Sequence, residues 1–331
     1  MPFTLRSKGN SGSSRVRTHE KASRPFSRNA PPCIGANDAG VDQETSVTQI
    51  AVVGAGTMGR GIAQVAAVAG MTTFLVDVKD AALLRARNQI QDTLARSVSR
   101  GKLTSSEADA ALDRIRSTTT LVDAVPGAEL VVEAIAENLP AKCALFAQLD
   151  AMADRRALLA TNTSSLSVAS IASVTGSPDR VVGMHFFNPV HIMKLVKVVA
   201  HVGASDLSIA RAKEMSRVMG KHPIVVRDSP GFASSRLGVA LGLEAMRMLQ
   251  EDVASAQDID TAMELGYGHA MGPLRVSDLV GLDVRLSIAE YLHAKLGTAL
   301  FEPPAILRKK VGAGELGKKT GKGFYQWPRT S

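Results

Sequence analysis

The chain has 331 residues, 45% of them hydrophobic, and a formal net charge of +8, a size that supports two domains with full cores better than one. Residues 1–46 hold seven Lys/Arg against four Asp/Glu, which leaves a modest +5 on the rest, and aromatics are only 4%, so neither charge nor stacking surface points to a nucleic-acid partner. Apolar runs such as 238–248 stop well short of the roughly 18 residues of a membrane span, and Cys33 and Cys143 form no C-x-x-C or His/Cys ligand spacing, so no membrane, disulfide framework or metal is expected.

Residues 1–46 are rich in Ser, Arg, Gly, Pro and Asn without periodicity, the composition of a segment that is disordered in isolation. Arg and Ser with a single acid in the first 32 positions also suit an organellar transit peptide. The apolar residues are too sparse for an amphipathic face, and a start codon placed upstream of the globular part is the plainer alternative. The expected location is therefore the cytoplasm, or the mitochondrial matrix if this segment is a transit peptide.

From Val47 an apolar β-branched run breaks into Gly54-Ala-Gly-Thr-Met-Gly59 and continues as an alanine-rich helical pattern. Strand, tight turn and helix are predicted. Gly54 permits the turn, Gly56 lets a pyrophosphate approach bare backbone, Gly59 lets the helix pack on its strand, and Thr57 and Met58 complete the loop. The helix N-terminus adds free N–H groups and a positive dipole end. A second strand, Thr72 to Asp77, ends in an acid 18 residues after Gly59, near the spacing of about 20 at which a carboxylate accepts from an adenosine ribose. An acid there repels a 2′-phosphate, so NAD is favoured over NADP.

A long helix follows from Asp80, and Thr104-Ser-Ser-Glu107 reads as a capping box opening another. Arg96, Arg100 and Lys102 between them are a solvated helix face or a landing site for an anionic substrate. Strands are predicted over 129–135, 157–161 and 180–187 and near 194–199 and 223–226, with helices from Pro140 and over 168–174. Such alternation means a mainly parallel sheet covered on both faces, with ligands beyond the strands' carboxyl ends. After Ser229-Pro-Gly-Phe232 the pattern is helical only, and Gly238 and Gly242 suggest close helix contact inside this part or across a dimer. The expected organisation is an N-terminal extension (1–46), an α/β Rossmann-type domain (47–228) and an all-helical C-terminal domain (229–331).

Seven ordered motifs carry a family resemblance: Gly54 to Gly59, Val132-Glu-Ala-Ile-Ala-Glu-Asn138, Thr161-Asn-Thr-Ser-Ser-Leu166, Gly183-Met-His-Phe-Phe-Asn-Pro189, Asp228-Ser-Pro-Gly-Phe232, Met271-Gly-Pro-Leu274 and Gly317 to Tyr325. Together they resemble the L-3-hydroxyacyl-CoA dehydrogenases, nearest to bacterial 3-hydroxybutyryl-CoA dehydrogenases. The resemblance implies NAD-dependent interconversion of L-3-hydroxyacyl-CoA and 3-ketoacyl-CoA in fatty acid metabolism, in a homodimer formed through the helical domain. It also implies cofactor contacts from Asp77, Glu137, Lys142, Ser164, Asn188 and Lys319, and acyl-CoA contacts from Ser164, Thr93 and Arg100.

Oxidising a secondary alcohol requires a neutral base within hydrogen-bond reach of the hydroxyl as hydride leaves carbon. His185, at a predicted strand end between two Asn-containing loops, is the candidate among seven histidines. Ser164 can hydrogen-bond the reacting oxygen; its plainer role is to cap the next helix, which Ser165 could do instead. Two further catalytic positions depart from the family pattern. Ser235 stands where the family has Asn, and Lys197 stands where it has the Glu of K-L-V-E. A carboxylate behind the imidazole fixes its tautomer and stabilises imidazolium, whereas an ammonium does the reverse. Lys197 therefore keeps open a catalytically impaired binding homologue, unless its side chain swings to solvent and an acid such as Glu264 orients the ring. A dehydrogenase of free hydroxy acids is a third reading.

Overall fold

The computed structural model describes residues 49–328; the expectations for residues 1–46, Cys33 included, lie outside the described residues. The order is β1 (Gln49–Val53), α1 (Thr57–Val68), β2 (Thr72–Val76), α2 (Asp80–Ser99), α3 (Ser105–Asp113), β3 (Ile115–Thr118), β4 (Leu130–Glu133), α4 (Leu139–Met152), β5 (Leu158–Thr161), α5 (Val168–Ala172), β6 (Val181–Phe186), β7 (Leu195–Ala200), α6 (Asp206–Val218) and β8 (His222–Arg227). Helices α7 (Ser234–Gln250), α8 (Ala256–Tyr267), α9 (Pro273–Val280), α10 (Leu282–Leu296) and α11 (Ala305–Gly312) follow.

The eight strands form one sheet in the order β3-β2-β1-β4-β5-β6-β7-β8. Neighbours are parallel except at β6–β7, which is antiparallel. Alternation along β1 explains why both faces are covered: Ile50 and Val52 join the core beneath α1, α2 and α6, while Ala51 and Val53 join Phe146, Leu149 and Ile171 of α4 and α5. Such double burial is what a parallel sheet demands. The predicted capping box at α3 is present, with Thr104 and Glu107 each accepting the other's backbone N–H. Strand β3 carried no sequence signal, because it is a sheet edge in which only Ile115 is buried.

The helical part has its own core, from Val239 and Leu243 through Leu282, Ala289 and Leu292 to Phe301. Gly242 of α7 faces Ser277 of α9, where an added Cβ would lie 3.0 Å from the hydroxyl, so this glycine serves contact inside the part. The Gly317-to-Tyr325 motif is held by one buried carboxylate: Asp278 accepts from the N–H groups of Phe324 and Tyr325 at 2.9 Å and from Trp327 Nε1 at 2.8 Å. The connection from the sheet is anchored as well. Asp228 accepts from Ala169 N at 2.7 Å and Ser167 Oγ at 3.0 Å, and Phe232 is buried in the sheet's own core.

The glycines at the β1–α1 turn separate a packing role from a binding role. A Cβ on Gly59 would collide with the Gly54 carbonyl oxygen, whereas one on Gly56 meets nothing within 4 Å. Overpacking of that kind costs about 1–3 kcal/mol. Gly59→Ala is therefore expected to lower the melting temperature by several degrees and Gly56→Ala to leave it unchanged, as checked by calorimetry of the three proteins.

Candidate active site

The carboxyl ends of β1, β2, β4, β5 and β6 bring the candidate residues to one edge of the sheet. At β1, Gly54 takes φ 108° and lies so close to Ala134 that a Cβ would stand 2.6 Å from its carbonyl oxygen. The chain can then turn directly into α1, whose N-terminus has no side-chain cap, leaving first-turn N–H groups to face an anion. Met58 packs on the core, and Thr57 Oγ1 accepts from Arg60. From β2, Asp77 accepts from Ala55 N at 2.9 Å and Lys79 N at 3.1 Å. Open backbone at Gly56, uncapped N–H groups and a carboxylate one strand away fit the pyrophosphate and ribose of a dinucleotide.

The next loops form a network around two glutamates. Glu133, 0% exposed at the end of β4, accepts from Lys142 Nζ at 2.5 Å, Thr161 Oγ1 at 2.7 Å and Ile135 N at 2.8 Å. Four residues on, Glu137 accepts from Thr163 Oγ1 at 2.6 Å, Ser164 N at 2.9 Å and Ser164 Oγ at 3.3 Å, with Lys142 3.4 Å away. Burial alone would raise the Glu137 carboxyl, but the Thr163 hydroxyl, Lys142 and the Ser164 N–H outweigh it and hold it below its ordinary range. Lys142 is thus sealed behind Glu137. Sequence reasoning had passed over Glu133 and Thr163; an acid closing an apolar strand was the available signal. Neither Ser164 nor Ser165 caps α5; Ser167 does, accepting from Ser170 N at 3.2 Å.

His185 and Lys197 are direct partners across the antiparallel β6–β7 pair. Directly opposed residues place their Cβ atoms about 4.5–5.5 Å apart on one face of the sheet. Lys197 is 0% exposed and does not swing to solvent. Its Nζ lies 5.1 Å from the Phe187 ring centre and 5.3 Å from that of Phe232, and the His185 ring lies 4.8 Å from Phe187. Among the described residues neither Lys197 Nζ nor His185 Nδ1 has a hydrogen-bond partner, and both are shut off from solvent. Glu264 is not at hand, being bonded to Gly272 N at 2.8 Å in the helical part. Burial, then the Lys197 charge, pushes His185 down to about 3 against a smaller upward pull from Glu137. Burial takes Lys197 down to about 8.

A cavity of about 520 Å³ opens between α1, α2, the β6–β7 connection and the end of α6 with the turn after it, lined by Thr93, Arg96, Arg100, Lys102, His191 and Lys221 among others. A smaller one of about 70 Å³ shares Gln64, Thr93 and His191 with it and reaches Thr57, Arg60 and Asn188. The groove therefore runs from a cationic basin to the glycine loop. His191, on the β6–β7 connection, and Lys221, in the turn between α6 and β8, are both far along the chain from the α2 residues they join, so no local pattern marks them. Burial, reinforced by Lys221, Lys102, Arg96 and Arg100, holds His191 below its ordinary value. Lys319 is placed elsewhere, salt-bridged to Asp283 of α10 at 2.6 Å, and Ser235 sits half-buried in the first turn of α7.

Residues 49–229 match the family model of the 3-hydroxyacyl-CoA dehydrogenase NAD binding domain, and residues 231–327 match that of the 3-hydroxyacyl-CoA dehydrogenase C-terminal domain. The chain belongs to the 3-hydroxyacyl-CoA dehydrogenase family. It is 44% identical to a probable 3-hydroxybutyryl-CoA dehydrogenase of Bacillus subtilis over 85% of this chain and 98% of that one. It is 41% identical to the mitochondrial hydroxyacyl-coenzyme A dehydrogenase of Sus scrofa over 85% and 91%. The crystal structure of (S)-3-hydroxybutyryl-CoA dehydrogenase PaaH1 from Ralstonia eutropha superposes with a TM-score of 0.83 at 38% identity, covering 86% of this chain and 100% of that one. Family membership agrees with the dinucleotide fit at the β1–α1 turn.

A buried, unpartnered ammonium is costly to the fold. Lysine is protonated in both the folded and unfolded chain below about pH 8, so the folded state bears the full cost there. Above that, the folded lysine loses its proton before the unfolded one does, and stability rises until the unfolded group also titrates near its usual value of about 10.4. Lys197→Met is expected to melt several degrees higher than the parent at pH 7, with the gap narrowing by pH 10. Thermal melts of both proteins across that range check this.

Proposed function

We propose that the protein is an NAD-dependent oxidoreductase that interconverts L-3-hydroxyacyl-CoA, in particular 3-hydroxybutyryl-CoA, and the corresponding 3-ketoacyl-CoA, with His185 as general base in oxidation and general acid in reduction. The observation that carries this reading is the position of His185: it is the penultimate residue of β6, three residues before Asn188, which lines the groove leading to the glycine loop. With Nδ1 sealed inside, Nε2 is the nitrogen left to meet the substrate hydroxyl. When bound, NAD supplies the hydride acceptor. The Gly54-Ala-Gly-Thr-Met-Gly59 turn, with Gly54, Gly56, Thr57, Met58 and Gly59, would hold its pyrophosphate, Asp77 would accept from its ribose, and Glu137, Ser164 and Asn188 would serve its nicotinamide half.

Ser164 bonds the reacting oxygen and steadies charge developing there, turning its hydroxyl away from Glu137 to do so. Ser235 supplies a second hydroxyl from the α7 terminus. Thr93 and Arg100, with Arg96, Lys102 and Lys221, receive the phosphates of CoA, and this cationic basin favours a CoA thioester over a free hydroxy acid. The helical domain closes the site and forms a homodimer, for which Leu237, Leu279 and Val280 offer exposed apolar surface. Lys142 supports the reading indirectly, by holding Glu137 in place.

Lys197 limits the rate. A cation behind the ring disfavours imidazolium, so the ring cannot keep the alcohol proton as it would beside a carboxylate, while cofactor binding is made elsewhere. Weak turnover of acetoacetyl-CoA with NADH is expected at pH 7, and Lys197→Glu should raise kcat by about 10²-fold or more, on the scale of general acid–base assistance, with NADH affinity unchanged. Absorbance assays and fluorescence titration of NADH check this. Robust turnover by the parent with no gain in the variant would contradict the role given to Lys197; NADH binding without turnover in either protein would favour the impaired binding homologue.

A further inference from the structure

His185 and Lys197 stand opposite one another across β6 and β7, and each has a buried polar atom, Nδ1 and Nζ, with no hydrogen-bond partner among the described residues. An imidazole nitrogen and an amine are chemically complementary in either proton arrangement. An ammonium donates to a bare Nδ1; a neutral amine accepts from Nδ1–H. The His185 ring and Lys197 Nζ lie beside the same Phe187 ring, 4.8 and 5.1 Å from its centre.

We propose that Lys197 is the proton-holding partner of His185, so that the proton exchanged with the substrate oxygen resides on Lys197 Nζ and His185 only passes it between its two ring nitrogens. In oxidation, hydride leaves C3 for the nicotinamide, the hydroxyl proton passes to Nε2, and the Nδ1 proton passes to Nζ. The C–O bond becomes C=O, the ring ends neutral, and one ammonium has formed. Reduction runs the same transfers backwards, with the ammonium as the acid. This inference rests on His185 acting on the substrate oxygen.

The surroundings support the assignment. Burial, then the charge of Lys197, holds the imidazole at about 3, and burial brings Lys197 to about 8; with both groups shut off from solvent on one face of the sheet, a proton reaching the ring rests on the amine. Among the described residues no carboxylate is bonded to His185 Nδ1 or Lys197 Nζ. Glu137 is the acid felt by His185, and it is engaged by Thr163, Ser164 and Lys142. On the connection to α7, Asp228 is engaged by Ser167 and Ala169. Strand β8 sets Ile224 opposite Lys197, with His222 and Arg227 at its far ends, and Phe232 supplies an aromatic face. Lys197 is on this account a positioning residue that acts through His185, and pH selects the tautomer: below its titration Nε2 carries the ring proton and can only give it, above it Nε2 is bare and can take one.

The test uses the full chain as parent, Lys197→Met and Lys197→Glu. Oxidation kcat in the parent should climb about tenfold per pH unit below the lysine titration and level off above it, with reduction level below the titration and falling above it. Lys197→Met should lose that dependence, and Lys197→Glu should shift it below neutrality. A limb near pH 8 that persists in Lys197→Met would overturn the proposal. Nitrogen NMR of ¹⁵N-histidine-labelled protein, with His185→Gln to assign the signals, reads the tautomer without turnover. The parent should hold Nε2–H at pH 7 and switch to Nδ1–H by about pH 9.5, and Lys197→Met should not switch. A parent with no switch refutes the relay even if the dehydrogenase reading stands. A switch without turnover supports the relay and refutes the dehydrogenase reading alone.

Discussion

The antiparallel pairing of β6 and β7 is the constraint on which the chemistry depends. A strand ladder leaves no freedom in which residue faces which: once Gly183 pairs with Val199, His185 must stand opposite Lys197. A one-residue slip of β7 would turn Lys197 to the opposite face of the sheet and set a valine opposite His185. The ammonium is therefore held beside the histidine by the whole sheet, not by an attraction between the two groups. Its burial between Phe187 and Phe232 returns only a little through contact with the ring faces, of the order of 0.5–2 kcal/mol each.

Around that pair the sheet gathers functions from separate segments. Parallel strands point their carboxyl ends the same way, so the glycine turn after β1, the acid after β2, the Glu133–Lys142–Glu137 network after β4 and the serine loop after β5 converge without any one segment being long. Glu133 and Lys142 neutralise each other inside and leave Glu137 as the outward acid of the network. The same acid ties down Ser164 and adds the one upward pull on His185.

Much of this was legible in the chain. The glycine spacing, the acid closing β2 and the change from alternating to purely helical pattern gave the fold class and the NAD site, because each follows from local backbone geometry. The opposition of Lys197 to His185 followed only from the family resemblance; no periodicity marks which strands will be antiparallel neighbours. Long-range arrangements were less visible. Lys221 reaches the basin of Arg96 and Arg100 only through the tertiary path of α6 and β8, β3 is too polar to signal a strand, and Lys319 is matched to Asp283 by helix packing. The cap of α5 moved to Ser167 because Glu137 claims Ser164 and also draws on Ser165.

The unpartnered, buried amine of Lys197 is held well below the ordinary lysine range by its burial. The direct measurement is NMR of lysine Cε and Nζ in ¹³C,¹⁵N-lysine-labelled protein over pH 6–11, with the Lys197 signal identified by its loss in Lys197→Met. The account predicts one lysine titrating near the value of about 8 that burial gives Lys197, apart from the surface lysines. A Lys197 signal that titrates with the others near their ordinary value of about 10.4 would contradict it.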